Sequence, residues 1–191
     1  MLLVQFACVT LLIFLLNDAL SQVQNETAPR NYSVFMVSLS NICRSPMAAA
    51  IFRDIVKKRN MNLQWHCTSA GTDTRKYAKA MMDPRAVTTL RKHGIEPTNH
   101  TVRPLLSTDY KEFDYIFAMD GANHADLMNR KRYCRGKSKA IIEMLGAYDP
   151  QGHNAIRYPY NDRVMEGFEQ CFEIANRSCN AFLDKFSKLK R

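Results

Sequence analysis

The sequence predicts an α/β fold with a doubly wound, four-stranded parallel sheet and helices on both of its faces. Short apolar runs alternate with amphipathic helical patterns along the chain, which is typical of this fold class. The chain has 191 residues and is 46% hydrophobic, which suits a single domain with a core of normal size. In such sheets the crossovers are right-handed, and ligands bind at the carboxyl ends of the strands.

The strands and helices are predicted in strict alternation. The four strands are expected at 33–37, 63–68, 115–119 and 140–144, and the four helices at 46–58, 83–92, 122–129 and 165–186. Gly94 follows the second helix as a C-cap glycine does. Two helices have a clear apolar side, formed by Met47, Ala50, Ile51, Ile55 and Val56 in the first and by Phe168, Phe172, Ala175, Cys179, Phe182 and Phe186 in the last.

The run Val-Ser-Leu-Ser-Asn-Ile-Cys-Arg-Ser-Pro, residues 37–46, joins the first strand to the first helix. Backbone N–H groups of such a turn, the positive end of the helix and the guanidinium of Arg44 converge on one point, and together they suit a tetrahedral anion. The sequence therefore predicts a phosphate loop here, with phosphate, sulfate or a phosphotyrosine-like anion as its ligand. The candidate binding residues are Leu39, Ser40, Asn41, Ile42, Cys43, Arg44 and Ser45.

This run closely resembles the phosphate loop of the low-molecular-weight protein tyrosine phosphatases. Arg44 lies six positions after Ser38, and Ser45-Pro46 follows it. The resemblance covers residues 34–182 and includes Ser69-Ala70-Gly71-Thr72, Asp83-Pro84-Arg85-Ala86, Phe113-Asp114-Tyr115-Ile116, Ala118-Met119-Asp120 and Leu145-Gly146-Ala147-Tyr148-Asp149-Pro150-Gln151. It implies hydrolysis of phosphotyrosine monoesters, and we expect no cofactor and no metal.

Ser38 is the first departure from the family, which has cysteine at the nucleophile position. A thiolate accepts the phosphoryl group readily, whereas a serine hydroxyl keeps its proton unless a base removes it. No histidine lies in the loop or where the family places a base; the five are His66, His93, His100, His124 and His153. Two alternatives stay open: a sequencing or isoform accident, or a serine that acts as nucleophile with help from a neighbour.

Tyr158 is the second departure. The segment Arg157-Tyr158-Pro159-Tyr160-Asn161 aligns with the family run whose aspartate protonates the leaving group. A tyrosine has an unperturbed pKa of ~10, and loss of a general acid commonly costs ~100- to 10,000-fold in rate. Asp162 is the alternative proton donor. Asp149-Pro150 only mimics the acid motif, because it belongs to the preceding family segment.

Two tyrosines are assigned to the pocket walls through the resemblance. Tyr160 matches an aromatic residue that flanks the phosphotyrosine ring, and Tyr77 is placed near the opposite wall, with an exposed loop aromatic as its alternative. Tyr158 is also large enough to plug the anion site.

Two serines of the loop are also considered for their effect on the backbone. Ser40 takes a position that is usually glycine in the family, so it would be strained if the backbone needed a positive φ. Ser45 hydrogen-bonds the nucleophile in the family, but it is also a natural N-cap with Pro46 at N1.

The N-terminal residues predict a secreted protein. Residues 1–21 have an apolar stretch at 2–16 and a small-residue cleavage site, so we expect a signal peptide, then a polar linker at 22–31 and the phosphatase-like domain at 32–191. An uncleaved anchor is the alternative, although the stretch is short for a membrane span. Four sequons fit an extracellular glycoprotein, at Asn25, Asn31, Asn99 and Asn176, the last of which falls in a predicted helix and requires an exposed face.

The cysteine count fits secretion less well. Cys43, Cys67, Cys134, Cys171 and Cys179 remain after the signal peptide, an odd number for an oxidising compartment. Cys171 and Cys179 are eight positions apart, about 12 Å along a helix, so they cannot pair with each other. Free core thiols are the alternative to disulfides. The family's bridge between the second loop cysteine and the nucleophile is impossible with Ser38.

The charge of +9, or +10 without the leader, favours acidic partners. Its densest part is residues 129–139, the basic loop, with acidic glycans or proteins as candidate ligands and a solvated loop without a partner as the alternative. Nucleic acid is not expected, since there is no RNA-binding aromatic motif. Three functions stay open: a secreted homologue with impaired catalysis that keeps its anion loop, a secreted low-activity phosphotyrosine or acid phosphatase, and a basic extracellular adaptor.

Overall fold

The computed structural model describes residues 31–134, 136, 138–162 and 164–188. The predicted signal peptide and linker residues 22–30 lie outside the described residues. The elements are β1 (Tyr32–Ser38), α1 (Arg44–Lys58), β2 (Trp65–Gly71), α2 (Pro84–Lys92), α3 (Asp109–Glu112), β3 (Tyr115–Ala118), α4 (Gly121–Arg132), β4 (Ile141–Met144) and α5 (Glu166–Lys188), with 3-10 turns at Arg75–Tyr77 and Leu145–Tyr148.

The four strands form one parallel sheet in the order β2-β1-β3-β4. Successive residues of β1 face opposite sides: Val34 and Met36 enter a core with α1 and α5, whereas Phe35 and Val37 enter a second core with α4. All four are fully buried, as expected for a parallel strand covered on both faces. The predicted doubly wound sheet is confirmed.

The strand order places the phosphate loop at a topological switch point. The chain moves from β1 to β2 on one side of β1, and then to β3 on the other side. The segments after β1 and β3 therefore leave the same edge of the sheet and diverge, which opens a crevice between them. This crevice is where the candidate site lies.

The predicted elements differ from the observed ones mainly at their ends. The second strand begins at Trp65 rather than at residue 63, because Leu63 is 86% exposed and belongs to the preceding turn. The short helix α3 and both 3-10 turns were not predicted. Gly94 has a φ of 72°, as expected for a residue that ends a helix. In the described part of the chain, no helix is both long and apolar enough to cross a membrane.

Candidate functional site

The loop after β1 forms the floor of the candidate site. We call residues 38–45 the cradle. Leu39 is 45% exposed, whereas each of the other cradle residues is at most 4% exposed. The loop is therefore almost entirely enclosed, although it connects two elements at the edge of the sheet.

The cradle carbonyls bond outward to the surrounding segments. The pairs are Ser38 O with Thr72 N (3.0 Å), Leu39 O with Asp73 N (2.8 Å), Ile42 O with Asp83 N (2.8 Å) and Asn41 O with His100 Nε2 (2.8 Å). Within the described residues, none of the backbone N–H groups from Leu39 to Cys43 donates to an acceptor. Leu39 is exposed, but Ser40 to Cys43 are buried, and buried N–H groups are rarely left without a partner, so four in succession indicate a site for an external acceptor.

Asn41 fixes the shape of the cradle. It has a φ of 58° and is fully buried. Its Nδ2 donates to the hydroxyls of Ser45 (3.0 Å) and Ser69 (2.9 Å), and its Oδ1 accepts from Arg103 N (3.1 Å). The left-handed residue of the loop is thus an asparagine, which tolerates that conformation. The strain considered for Ser40 does not arise.

Ser38 lies at the end of β1 with its hydroxyl bonded to the hydroxyl of Ser45 (2.7 Å). The predicted N-cap role of Ser45 is wrong. Helix α1 begins two residues earlier than predicted, at Arg44, and Cys43 is at the N-cap without a side-chain capping bond. The Ser45 hydroxyl instead turns inward, toward Ser38 and the carbonyl of Ala70 (3.3 Å).

Arg44 supplies the charge of the cradle and is fixed by Asp120. Its Nη1 forms an ion pair with the Asp120 carboxylate and also donates to Ile156 O (3.0 Å). Its buried Nε has no partner in the described part of the chain. Asp120 caps α4 by accepting from Asn123 N (2.7 Å). No role was predicted for Asp120, since its contact with Arg44 depends on β3 lying next to β1 in the sheet.

Tyr158 lies against Arg44, with its ring centroid 4.9 Å from the guanidinium carbon. It stacks on Tyr160 at 5.9 Å, and Tyr77 packs edge-on against Tyr160 at 6.0 Å, so the three predicted tyrosines lie in one row. Burial raises the pKa of the Tyr158 phenol, although its hydrogen bond with Ser40 acts in the opposite direction. Tyr158 is therefore an even weaker acid than a free tyrosine.

The two aspartates considered as proton donors are engaged elsewhere. Arg157 Nη2 donates to Asp162 Oδ1 (2.8 Å), and this hydrogen bond lowers the pKa of Asp162. Asp149 is fully buried and accepts from both Nε (2.8 Å) and Nη2 (2.9 Å) of Arg177, which lowers its pKa. Both carboxylates are thus kept ionised, and neither contacts Ser38 or Arg44 in the described structure.

Arg85 braces the segment that carries Tyr158. We call residues 156–162 the roof segment. Arg85 donates to the carbonyls of Asp162 (2.9 Å) and Tyr160 (3.1 Å), and it also pairs with Asp83 (2.8 Å). Asp83 caps α2 and receives the Cys43 thiol at 3.7 Å. No role was predicted for Arg85, since bonds to main-chain carbonyls have no sequence signature.

The cysteines are free thiols in the described structure, and four of the five are buried. Burial raises the pKa of Cys67 to about 12 and that of Cys171 to about 12, so neither is a reactive thiolate at neutral pH. No group of side chains within the described residues could hold a metal ion. These thiols match the alternative of free core cysteines.

The sequons and the basic loop contribute no side chain to the cradle, residues 38–45. Asn31 and Asn99 are exposed, Asn176 is half-buried beside the fully buried Ser178, and Asn25 is outside the described residues. The face of α5 at Asn176 is thus only partly exposed. Three basic-loop charges have intramolecular partners: Arg130 with Asp126 (2.9 Å), Lys131 with Ala140 O (3.0 Å) and Lys139 with Asp114 (3.2 Å); Arg135 and Lys137 are not described.

Comparison with known proteins gives one consistent result. The family model described as low molecular weight phosphotyrosine protein phosphatase matches residues 33–191. The chain is 43% identical to the pig low molecular weight phosphotyrosine protein phosphatase and 41% identical to the chicken one, in each case over 80% of this chain and 94% of the relative.

Solved structures that are similar to this chain are also phosphatases. The Drosophila arginine phosphatase DARP is 35% identical with a TM-score of 0.75, covering 80% of this chain and 96% of that one. A protein tyrosine phosphatase from Entamoeba histolytica with Hepes in the active site is 27% identical with a TM-score of 0.75, covering 84% and 100%. The chain belongs to the low molecular weight phosphotyrosine protein phosphatase family.

Proposed function

We propose that this protein is a secreted family member with impaired catalysis that still binds a tetrahedral oxyanion in its cradle. One observation carries the proposal: the backbone N–H groups of four buried residues, Ser40 to Cys43, and the buried Nε of Arg44 have no acceptor within the described structure. An oxyanion with several acceptor oxygens satisfies such a set of donors, and each charge-assisted bond contributes about 1.5–3 kcal/mol before ordering costs.

Impaired catalysis follows from the two changed side chains. Ser38 has a neutral hydroxyl as its bonding partner, and a serine nucleophile needs a base or a metal to lose its proton. At the position of the acid, Tyr158 has a raised pKa and holds its proton tightly. The neutral serine also favours binding, because it removes the negative charge that a thiolate places at the bottom of the pocket.

The low-activity phosphatase has less support. It requires Asp162 to deliver a proton to the leaving group, but this carboxylate is paired with Arg157 and its pKa is lowered. Asp162 would have to leave its partner and also bind a proton at neutral pH. Both steps oppose general acid catalysis.

The adaptor hypothesis rests on the basic loop, and three of its cations already have partners within the chain. Such partners lower the potential that remains for an acidic glycan or protein. The cradle offers buried, unpartnered donors instead, so we place the ligand there. Secretion rests on the sequence of residues 1–21, and the exposed sequon residues Asn31 and Asn99 are compatible with it.

Two measurements test the proposal on the purified mature protein. Hydrolysis of an aryl phosphate should proceed at no more than a trace of the rate of an active family member. Phosphate or sulfate should raise the melting temperature, and Arg44→Ala should abolish this rise. The matched control is Arg132→Ala, an exposed arginine in the basic loop.

Family-like turnover that Ser38→Ala abolishes would refute impaired catalysis. An anion effect that survives in Arg44→Ala but is lost when Arg130, Lys131 and Arg132 are reversed in charge would move the function to the basic loop.

A further inference from the structure

Tyr158 lies across the cradle rather than beside it. Its ring covers the guanidinium of Arg44 at 4.9 Å, and its hydroxyl meets the side chain of Ser40. Ser40 and Arg44 are the second and sixth residues after Ser38, and the unpartnered N–H groups of Asn41, Ile42 and Cys43 lie between them in the chain. The side chain therefore reaches residues at both ends of this row of N–H groups.

The neighbours of Tyr158 hold it in this place. Tyr160 stacks on its ring, and Arg85 covers the Tyr160 ring at 5.5 Å while donating to the main chain of the roof segment. On the side of α5, the Cys171 thiol donates to Arg157 O (2.9 Å). Since contacts from two helices fix the roof segment, Tyr158 is a fixed cover rather than a mobile side chain.

The burial of the cradle agrees with this cover. Ser40 is 3% exposed and Arg44 is 4% exposed, although the Ser40 N–H and the Arg44 Nε have no acceptor within the described structure. A free oxyanion needs only the space bounded by these donors. An aryl ester also needs room for a second ring next to the anion, and the Tyr158 ring already lies against Arg44, the cation of the cradle.

We propose that Tyr158 determines ligand specificity by admitting free tetrahedral oxyanions, such as inorganic phosphate or sulfate, and excluding their aryl esters. This inference rests on the proposed function, since it concerns the same cradle. Its physical basis is a steric clash between the Tyr158 ring and the ring of an aryl ester, which a free oxyanion does not have. The protein would thus bind the anion itself and not a phosphotyrosine side chain.

Binding of inorganic phosphate and of phenyl phosphate to the mature protein tests the inference, with calorimetry and ³¹P line broadening as readouts. The wild type should bind inorganic phosphate at least about tenfold more tightly than phenyl phosphate. In Tyr158→Ala the ratio should fall to about one, whereas Tyr158→Phe, which keeps the ring, should retain it. Tyr133→Ala, at a tyrosine that is 84% exposed, is the matched control.

Each other outcome has a distinct meaning. Equal binding of both ligands to the wild type would overturn the inference but leave the proposed function intact. Binding of both ligands to Tyr158→Ala and of neither to the wild type would overturn both the inference and the proposed function, because Tyr158 would then close the cradle completely. If Tyr158→Ala binds neither ligand while the wild type binds phosphate, the inference fails because Tyr158 would be part of the binding site. If Arg44→Ala binds as well as the wild type, the proposed function itself fails.

Discussion

The cradle and the roof segment meet at one pocket but are built in different ways. The cradle donors are backbone N–H groups, positioned by outward carbonyl bonds to Thr72, Asp73 and Asp83, and only Arg44 contributes a charged side chain. In the roof segment, by contrast, the proton donor of the family would come from one side chain, at position 158. A single substitution there changes that chemistry, whereas no single change of side chain removes all the cradle donors. The proposed function therefore assigns binding to the backbone of the cradle and the loss of turnover to positions 38 and 158.

Restoring the lost side chains is the strongest test of that separation. Ser38→Cys combined with Tyr158→Asp should raise aryl phosphate hydrolysis by ~100- to 10,000-fold, because a thiolate and a carboxylic acid return to an intact cradle. Steady-state kinetics measures the gain, and adding Arg44→Ala should remove it. A folded double variant with no gain would mean that the cradle itself has changed.

A large loss of stability is expected at Asp149, outside the pocket. Asp149→Ala leaves Arg177 without its buried partner and should lower the free energy of unfolding by about 3 kcal/mol. Urea unfolding measures this change, and the exposed pair variant Arg91→Ala should have no measurable effect. The phosphate-induced rise in melting temperature should persist. Its disappearance would show that pocket and scaffold are coupled.

The same carboxylate predicts how stability depends on pH. The pKa of Asp149 is lowered in the folded protein. Its contribution to the free energy of unfolding is therefore complete above the pKa of about 4 that an aspartate has in the unfolded chain, and it is lost as the pH falls toward the lower pKa of the folded state. Melting temperatures between pH 6 and pH 3 should therefore fall less steeply in Asp149→Asn than in the wild type. Parallel curves would contradict the assignment.

Removal of the Arg85 brace should loosen the roof segment without changing the cradle. Arg85→Ala loses two hydrogen bonds to main-chain carbonyls and the pair with Asp83, and should cost about 2 kcal/mol of stability. Calorimetry should then give a dissociation constant for phenyl phosphate that is closer to the one for inorganic phosphate. An unchanged ligand ratio in a stable variant would mean that Tyr158 is positioned by other contacts.

The smallest effect is expected at Ser45. Ser45→Ala removes the hydroxyl that bonds Ser38 and accepts from Asn41, at a cost of about 1 kcal/mol. Phosphate binding should stay within about twofold of the wild type, because the backbone donors are unaffected. Loss of binding would show that the serine pair, and not the carbonyl bonds, shapes the cradle.

The sequence predicted most of the fold because its signals are local. Alternation of apolar runs and the stripe on α5 located every strand and every long helix. The resemblance to a family located Ser38, Arg44 and Tyr158. The ends of β2 and the four-residue helix α3 were missed, since turns such as the one containing Leu63 have the same residue types as strand ends.

The contacts of the site that were not predicted were missed for a different reason: they join residues that are far apart in the sequence. Asp120 meets Arg44 across 76 positions, and Arg85 reaches the carbonyl of Tyr160 across 75. Both contacts depend on the strand order, which composition and spacing do not encode. The N-cap predicted at Ser45 was wrong for a related reason: a buried partner on β1 competes for the hydroxyl that local rules assign to the helix.

The outward carbonyl bonds of the cradle have a consequence for how such a chain evolves. The hydrogen bonds that aim the N–H groups at an anion are also the bonds that attach the loop to the wall after β2 and to the start of α2. Selection for a protein that simply folds and reaches its destination therefore preserves the anion site, even after selection for turnover has ceased. Members of this fold that lose catalysis can therefore keep an oxyanion-binding site, because the hydrogen bonds that shape the site also stabilise the fold.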